Sequence, residues 1–147
     1  MMMSEGSYCI VLADDHALFR DSLRMLLETA GDLKVVGEAC DGHEALALLG
    51  VVRSNMIILD ISMPNLGGLE TTRRIKGLHS EVKILILTAH NSPEYLQQAM
   101  AAGADGYLLK EYLDTDLFSA IEKIRQGGIY ISPQLSEKRA DRSEEKV

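Results

Sequence analysis

Residues 56–65 read Met56-Ile57-Ile58-Leu59-Asp60-Ile61-Ser62-Met63-Pro64-Asn65. Four apolar residues follow one another without alternation, stop on a carboxylate, and give way to Pro and Asn. An unbroken apolar run of that length, closed by turn residues, is the pattern of a strand covered on both faces in a parallel sheet. Four further runs of this kind lie around it: Tyr8–Ala13 (YCIVLA), Leu33–Ala39 (LKVVGEA), Val82–Thr88 (VKILILT) and Gly106–Lys110 (GYLLK).

Between the runs the apolar period changes from strand to helix. Phe19, Leu23, Leu26, Leu27 and Ala30 form one stripe, and Gly31 follows as a stop. Asp41 with Glu44 three residues on has capping-box spacing and opens a second helix that runs to about Gly50. A third helix is expected from about Gly68 to Lys76, with Gly77 as its stop. Ser92 caps a fourth, Pro93 suits its first position, and Gly103 ends it. The fifth runs from about Asp114 to Gln126, with Leu117, Ile121 and Ile124 inward and Gly127–Gly128 after it. Five strands alternating with five helices make an α/β fold, (βα)5, with a parallel five-stranded sheet between two helical layers.

The chain has 147 residues and 16.2 kDa, enough for one core. Net charge is −7, from 22 acids against 15 bases, which is unlike a surface that neutralises nucleic-acid phosphates or anionic membranes. No apolar stretch reaches the length of a membrane span, and the start MMMSEGSY is not a secretory signal. Cys9 opens its strand and Cys40 closes the neighbouring one, so the two lie at opposite ends and do not bridge. These features describe a reduced, cytoplasmic protein. Residues 1–7 read as a disordered or vector-derived start, 8–128 as the folded domain, and 129–147 as a linker ending in a charged tail.

In an open parallel sheet, ligands gather beyond the carboxyl ends of the strands, where strand order reverses. The first strand is followed by Asp14-Asp15-His16, the third ends on Asp60, the fourth on Thr88-Ala89-His90 and the fifth on Lys110. The second delivers only the helix-capping Asp41, which suits the flavodoxin-like order 2-1-3-4-5 with that strand at the margin. Two unit charges about 4 Å apart repel by roughly 4 kcal/mol at an effective dielectric of 20. Three converging carboxylates therefore call for a cation or a proton. Oxygen ligands on loops, with room left for water, favour Mg²⁺. Thr88 and Lys110 add a hydroxyl donor and a positive charge of the kind phosphoryl oxygens need. Such a site transfers phosphate onto an Asp nucleophile.

Each residue alone has an ordinary reading. Asp14 or Asp15 could cap the first helix, Thr88 could be a plain β-branched strand residue, and Lys110 could be solvated. Their coincidence on one sheet edge is what carries the site. His16 and His90 are expected on its rim, with His90 placed to influence the lifetime of a phosphoryl group.

Asp14-Asp15, Asp60 with Met63-Pro64, Thr88-Ala89 and the stretch from Gly103 to Lys110 (GADGYLLK) together resemble the receiver domain of bacterial two-component response regulators. The resemblance covers about residues 8–127. It implies that Asp60 accepts a phosphoryl group from a phosphohistidine of a sensor kinase. It further implies that Asp15 binds Mg²⁺ directly, Asp14 mainly through water, and that Asp60 and the Ser62 backbone carbonyl complete the protein ligands. Lys110 would pair with Asp60 before reaction and with the phosphoryl group afterwards. Thr88 would swing toward that group, and Tyr107 would turn inward as it does.

The segment Gly127–Pro133 (GGIYISP) resembles the start of the linker in the NarL/FixJ (LuxR-type) subfamily. That resemblance implies a helix-turn-helix DNA-binding output domain beyond this chain, and a homodimer on activation. The alternative is a stand-alone receiver that signals through a protein partner. Three other classes fit less well. A flavin protein would place a Ser/Thr/Gly phosphate loop where Asp14-Asp15-His16 stand. A haloacid-dehalogenase-type phosphohydrolase would need a second acid where Ser62 stands, and a cap insertion. A pure interaction module would show gaps in the site.

Overall fold

The structure, a computed structural model, describes residues 6–135. Its elements run β1 (Tyr8–Ala13), α1 (Ala17–Leu27), β2 (Leu33–Ala39), α2 (Gly42–Leu49), β3 (Met56–Leu59), α3 (Gly68–Leu78), β4 (Lys83–Thr88), α4 (Pro93–Ala102), β5 (Gly106–Leu109), α5 (Leu113–Arg125) and β6 (Tyr130–Ile131). All strand pairs are parallel, in the order β2-β1-β3-β4-β5-β6.

The apolar runs lie buried between two helical layers. Ile10, Leu12, Ile58, Leu85 and Leu108 pack with Leu23 and Leu27 of α1 and Leu117, Ile121 and Ile124 of α5. Their alternate neighbours Val11, Ile57, Leu59, Ile86 and Tyr107 pack with Ala45, Ile75, Leu96 and Ala99 of α2, α3 and α4. This is the three-layer, flavodoxin-like arrangement expected from the unbroken apolar strands.

The caps anticipated at two helices form. Asp41 accepts a hydrogen bond from the Glu44 N–H at 2.9 Å, and the Glu44 carboxylate accepts from the Cys40 N–H at 2.8 Å. Ser92 accepts from the Tyr95 N–H at 3.3 Å, Pro93 opens α4, and Gly103 closes it at φ 108°, a conformation that favours glycine. Gly77 does not stop α3, which continues through it to Leu78. Lys110 is not part of β5; it begins a short 3-10 turn, Lys110–Tyr112, that leads into α5.

The sheet has six strands rather than five. Residues 129–135, expected to be linker, return after α5, and Tyr130–Ile131 lie along β5. Gly106 pairs with Tyr130 and Tyr107 with Ile131. The reason is that β5 would otherwise be an open edge with unpaired backbone groups. Ser132 N–H donates to the Tyr107 carbonyl at 2.9 Å, and its hydroxyl accepts from the Leu109 N–H at 3.0 Å. Leu135 is fully buried, a contribution of about 1.5–3 kcal/mol. The expectations for residues 1–5 and for the charged tail after Ser136 lie outside the described residues.

One close approach fixes the end of β3. A Cβ on Gly68 would stand 2.7 Å from the Ile61 Cα and closer still to the Asp60 carbonyl oxygen. Only glycine lets α3 start this near the strand end that carries Asp60.

Candidate functional site

Parallel register brings the proposed residues to one edge. Ala13 pairs with Leu59 and Leu59 with Ile86, while Thr88 pairs with Leu109. Asp14, Asp60, Thr88 and Lys110 therefore leave four adjacent strands at nearly the same height.

Three of these strand ends share one local device. Asp14 Oδ1 accepts from the His16 N–H at 2.9 Å, Asp60 Oδ1 from the Ser62 N–H at 3.2 Å, and Thr88 Oγ1 from the His90 N–H at 3.0 Å. Each is a side chain capping the backbone two residues ahead, an Asx- or ST-type turn. The device fixes the rotamer of each group and bends the chain out of the sheet. It also leaves the other carboxylate oxygens free for the site: Lys110 Nζ lies 2.9 Å from Asp14 Oδ2 and 3.4 Å from Asp60 Oδ2. The expected Lys110–Asp60 pair is present, yet Asp14 is the nearer partner.

Asp14 and Asp60 are 4% and 6% exposed, so their charges are largely removed from water. Asp15 is exposed beside them. One carboxylate oxygen each from Asp14, Asp15 and Asp60 and a ring nitrogen of His16 all lie within 4.8 Å of one another. His16 Nδ1 is 3.1 Å from Asp14 and 3.2 Å from Asp15, with its side chain mostly in solvent. The rim position expected for His16 is correct, but it does have partners. Three carboxylates against one ammonium leave two negative charges uncompensated among close oxygens. That donor set fits a hard divalent cation such as Mg²⁺. Helix capping does not account for Asp14-Asp15, since the N-cap of α1 is His16 and no side chain caps that end.

Thr88 and Tyr107 are fully buried. The Tyr107 O–H donates to the His90 carbonyl at 3.0 Å, and burial pushes its phenol well above the ordinary tyrosine range. Tyr107 is thus already inward with Thr88 turned to the His90 amide. His90 is more than a rim residue: its Nε2 lies 2.8 Å from Ser62 Oγ and its ring leans on Tyr95, centroids 4.8 Å apart.

Three contributors escaped the sequence reading. Arg20 reaches back from α1 to hydrogen-bond the Asp14 carbonyl and pairs with Glu38 at 3.0 Å. Phe19 lies under Lys110, whose Nζ is 4.3 Å from the ring centroid, a cation–π contact. Ser132 holds the amide just before Lys110. Phe19 was legible only as part of an apolar stripe, and Arg20 and Ser132 follow no local pattern. Asp41, by contrast, is fully occupied as a cap and by the Asn65 amide at 2.8 Å, which together hold its carboxyl below the usual range. Cys9 and Cys40 are both free thiols.

The profile of the response regulator receiver domain matches residues 10–122. The transcriptional regulatory protein DegU of Brevibacillus brevis is 36% identical over 135 residues, covering 91% of this chain and 57% of DegU. The chain thus spans under two thirds of that relative's length. A two-component response regulator of the LuxR family from Aurantimonas superposes with a TM-score of 0.89 at 34% identity, over 93% of this chain and 98% of that one. RcsB from Salmonella enterica serovar Typhimurium, bound to a promoter with the phosphomimetic BeF3−, gives 0.83 at 27% identity over 89% and 65% of the two chains. RcsB has also been seen as two dimers on two parallel DNAs. With the fold, the strand-end carboxylates and these likenesses in agreement, the chain belongs to the response regulator receiver domain family.

Proposed function

We propose that Asp60 is the phosphoacceptor of this receiver and that the site works with Mg²⁺. The observation that supports this most is the pairing of two buried carboxylates, Asp14 and Asp60, with the single ammonium of Lys110 at 2.9 and 3.4 Å. The donor is a phosphohistidine of a sensor kinase. An Asp60 carboxylate oxygen forms the new P–O bond, the P–N bond breaks, and the imidazole leaves with the bonding pair and takes up a proton.

Asp14, Asp15, Asp60 and the Ser62 backbone carbonyl would hold the metal, Asp14 mainly through water. When bound, Mg²⁺ neutralises the phosphoryl oxygens that otherwise repel the acidic crevice. Lys110 follows the new charge from carboxylate to phosphoryl oxygen. Thr88 gives up the bond it accepts from His90 and offers its hydroxyl to the phosphoryl group. Tyr107 is the neighbour that feels this change. Dehydration of the site comes from the burial of Asp14, Asp60 and Thr88, which strengthens each of these contacts.

The activated receiver would form a homodimer and control transcription through a LuxR-type helix-turn-helix output domain, in the cytoplasm. The transcriptional role in the name of DegU and the DNA-bound RcsB dimers support this. Among the described residues no helix is long and apolar enough to cross a membrane. The test is intact mass after incubation with acetyl phosphate. Wild type should gain one phosphoryl group only with Mg²⁺, and Asp60→Asn none. Equal gain in Asp60→Asn would refute the assignment.

A further inference from the structure

Resting on that phosphoacceptor reading, we propose that Tyr130–Leu135 is a positioning strap. Its docking on β5 holds Lys110 where it meets the phosphoryl group and holds Tyr107 inward beside Thr88, and phosphorylation of Asp60 in turn tightens the strap.

The strap reaches the site by two routes. The first runs through Ser132, which has no exposure. Its hydroxyl accepts from the Leu109 N–H at 3.0 Å, and its N–H donates to the Tyr107 carbonyl at 2.9 Å. Leu109 is the last residue of β5, and Lys110 begins the turn that follows. The backbone from which the Lys110 ammonium extends is thus pinned by a side chain 22 residues further along the chain.

The second route runs through Tyr107. Ile131 lies beside it in register, and Leu135 is fully buried in the same apolar cluster as Tyr107, Leu96 and Ala99. The Tyr107 O–H is therefore held on the His90 carbonyl, and the His90 N–H on Thr88 Oγ1, both at 3.0 Å. Fixing Tyr107 fixes the His90 backbone in the loop after β4, beside Thr88 at the strand end. One strap contact thus ends beside Lys110, which would hold a phosphoryl oxygen, and the other on Tyr107, the neighbour of Thr88.

A strand that merely covered a sheet edge would not need the Ser132 side-chain bond to the Leu109 N–H. Linkage makes the coupling reciprocal: whatever holds Lys110 for the phosphoryl group is held by it.

Amide hydrogen exchange on the full chain, with Mg²⁺ and acetyl phosphate, reads the strap without any substitution. Exchange in the peptide covering 129–135 should slow when intact mass shows phosphorylation, and should not change in Asp60→Asn. Ser132→Ala and Leu135→Ala should each phosphorylate about five-fold or more slowly, while Ser132→Thr, which keeps the hydroxyl, recovers part of the rate. A melting curve on each variant shows that the domain remains cooperatively folded. Unchanged strap exchange in protein that has gained the phosphoryl group would overturn the strap and leave the phosphoacceptor reading standing. Wild-type rates in both alanine variants would do the same. No phosphoryl gain in wild type would overturn both.

Discussion

Asp14 and Asp60 present themselves to Lys110 in the same way. Each commits Oδ1 to the backbone N–H two residues ahead and turns Oδ2 toward the ammonium, at 2.9 and 3.4 Å. Two carboxylates on neighbouring strands thus share one counter-charge, which is itself seated on the Phe19 ring. A divalent cation entering this crevice would compete with Lys110 for Asp14.

Replacing Lys110 with Met should therefore have opposite effects on metal binding and on phosphoryl transfer. Without the ammonium, Asp14 and Asp60 repel each other, and the metal-free protein should lose on the order of 2 kcal/mol of stability. Calorimetric titration should show Mg²⁺ binding several-fold more tightly than in wild type, since the competing charge is gone. Phosphorylation by acetyl phosphate should nevertheless slow by at least about ten-fold, because the charge that builds on the phosphoryl oxygens in transfer loses its ammonium partner. Unchanged Mg²⁺ affinity would mean that Lys110 does not compete for Asp14.

The contact beneath Asp60 gives a paired test. Gly68→Ala forces a Cβ against the Asp60 carbonyl and the Ile61 backbone, so α3 or the end of β3 must move. Stability should fall by about 1–3 kcal/mol, and phosphorylation should slow as the nucleophile is displaced. Gly77→Ala lies in the same helix with nothing within 4 Å of the new methyl group. It should instead raise stability by about 0.5–1 kcal/mol and leave phosphorylation unchanged. Chemical denaturation and the acetyl phosphate time course read both.

Ser62 and His90 bridge the mouth of the site from the loops after β3 and β4, at 2.8 Å. Ser62→Ala and His90→Ala should each open the phosphorylated Asp60 to water and shorten its lifetime by several-fold. The double variant should be no worse than either single one, since both remove the same bond. Additive effects in the decay of the phosphorylated mass would show that the two side chains act separately.

Two tyrosines set a limit at alkaline pH. Burial, with help from Asp116, pushes Tyr130 up to about 12, and burial raises Tyr107 further. Both sit above the unfolded value near 10. Their contribution to stability is complete below about pH 10 and is lost as pH rises through the folded values. The melting temperature should fall steeply above about pH 10, and less steeply in Tyr130→Phe. Tyrosinate absorbance recorded through the same titration assigns the step. An identical alkaline fall in Tyr130→Phe would exclude Tyr130 as its source.

What the sequence made legible was whatever a few neighbouring residues decide. Asp41 with Glu44, Ser92 with Pro93 and Gly103 mark helix ends through bonds spanning three or four residues, and they mark them correctly. The strand-end carboxylates were legible because parallel strands with unbroken apolar runs deliver their last residues to one edge. Gly77 misled, because α3 is held by Ile75, Thr71 and Thr72 in the core and continues past a residue that only lowers local propensity. β6 was not legible, because a pairing of Tyr130–Ile131 has no meaning without the open edge of β5 to receive it. Lys110's preference for Asp14 likewise depends on a register across four strands, and Arg20 and Phe19 depend on how α1 settles over that edge.

The most direct measurement traps the acyl phosphate itself. Protein incubated with Mg²⁺ and acetyl phosphate is reduced with borohydride, which converts a phosphorylated aspartate to homoserine, and the site is located by tandem mass spectrometry. Homoserine at position 60, absent when Mg²⁺ is omitted, is the expected result. Homoserine at Asp14 or Asp15 instead, or none anywhere in protein that has gained the phosphoryl mass, would contradict Asp60 as the phosphoacceptor.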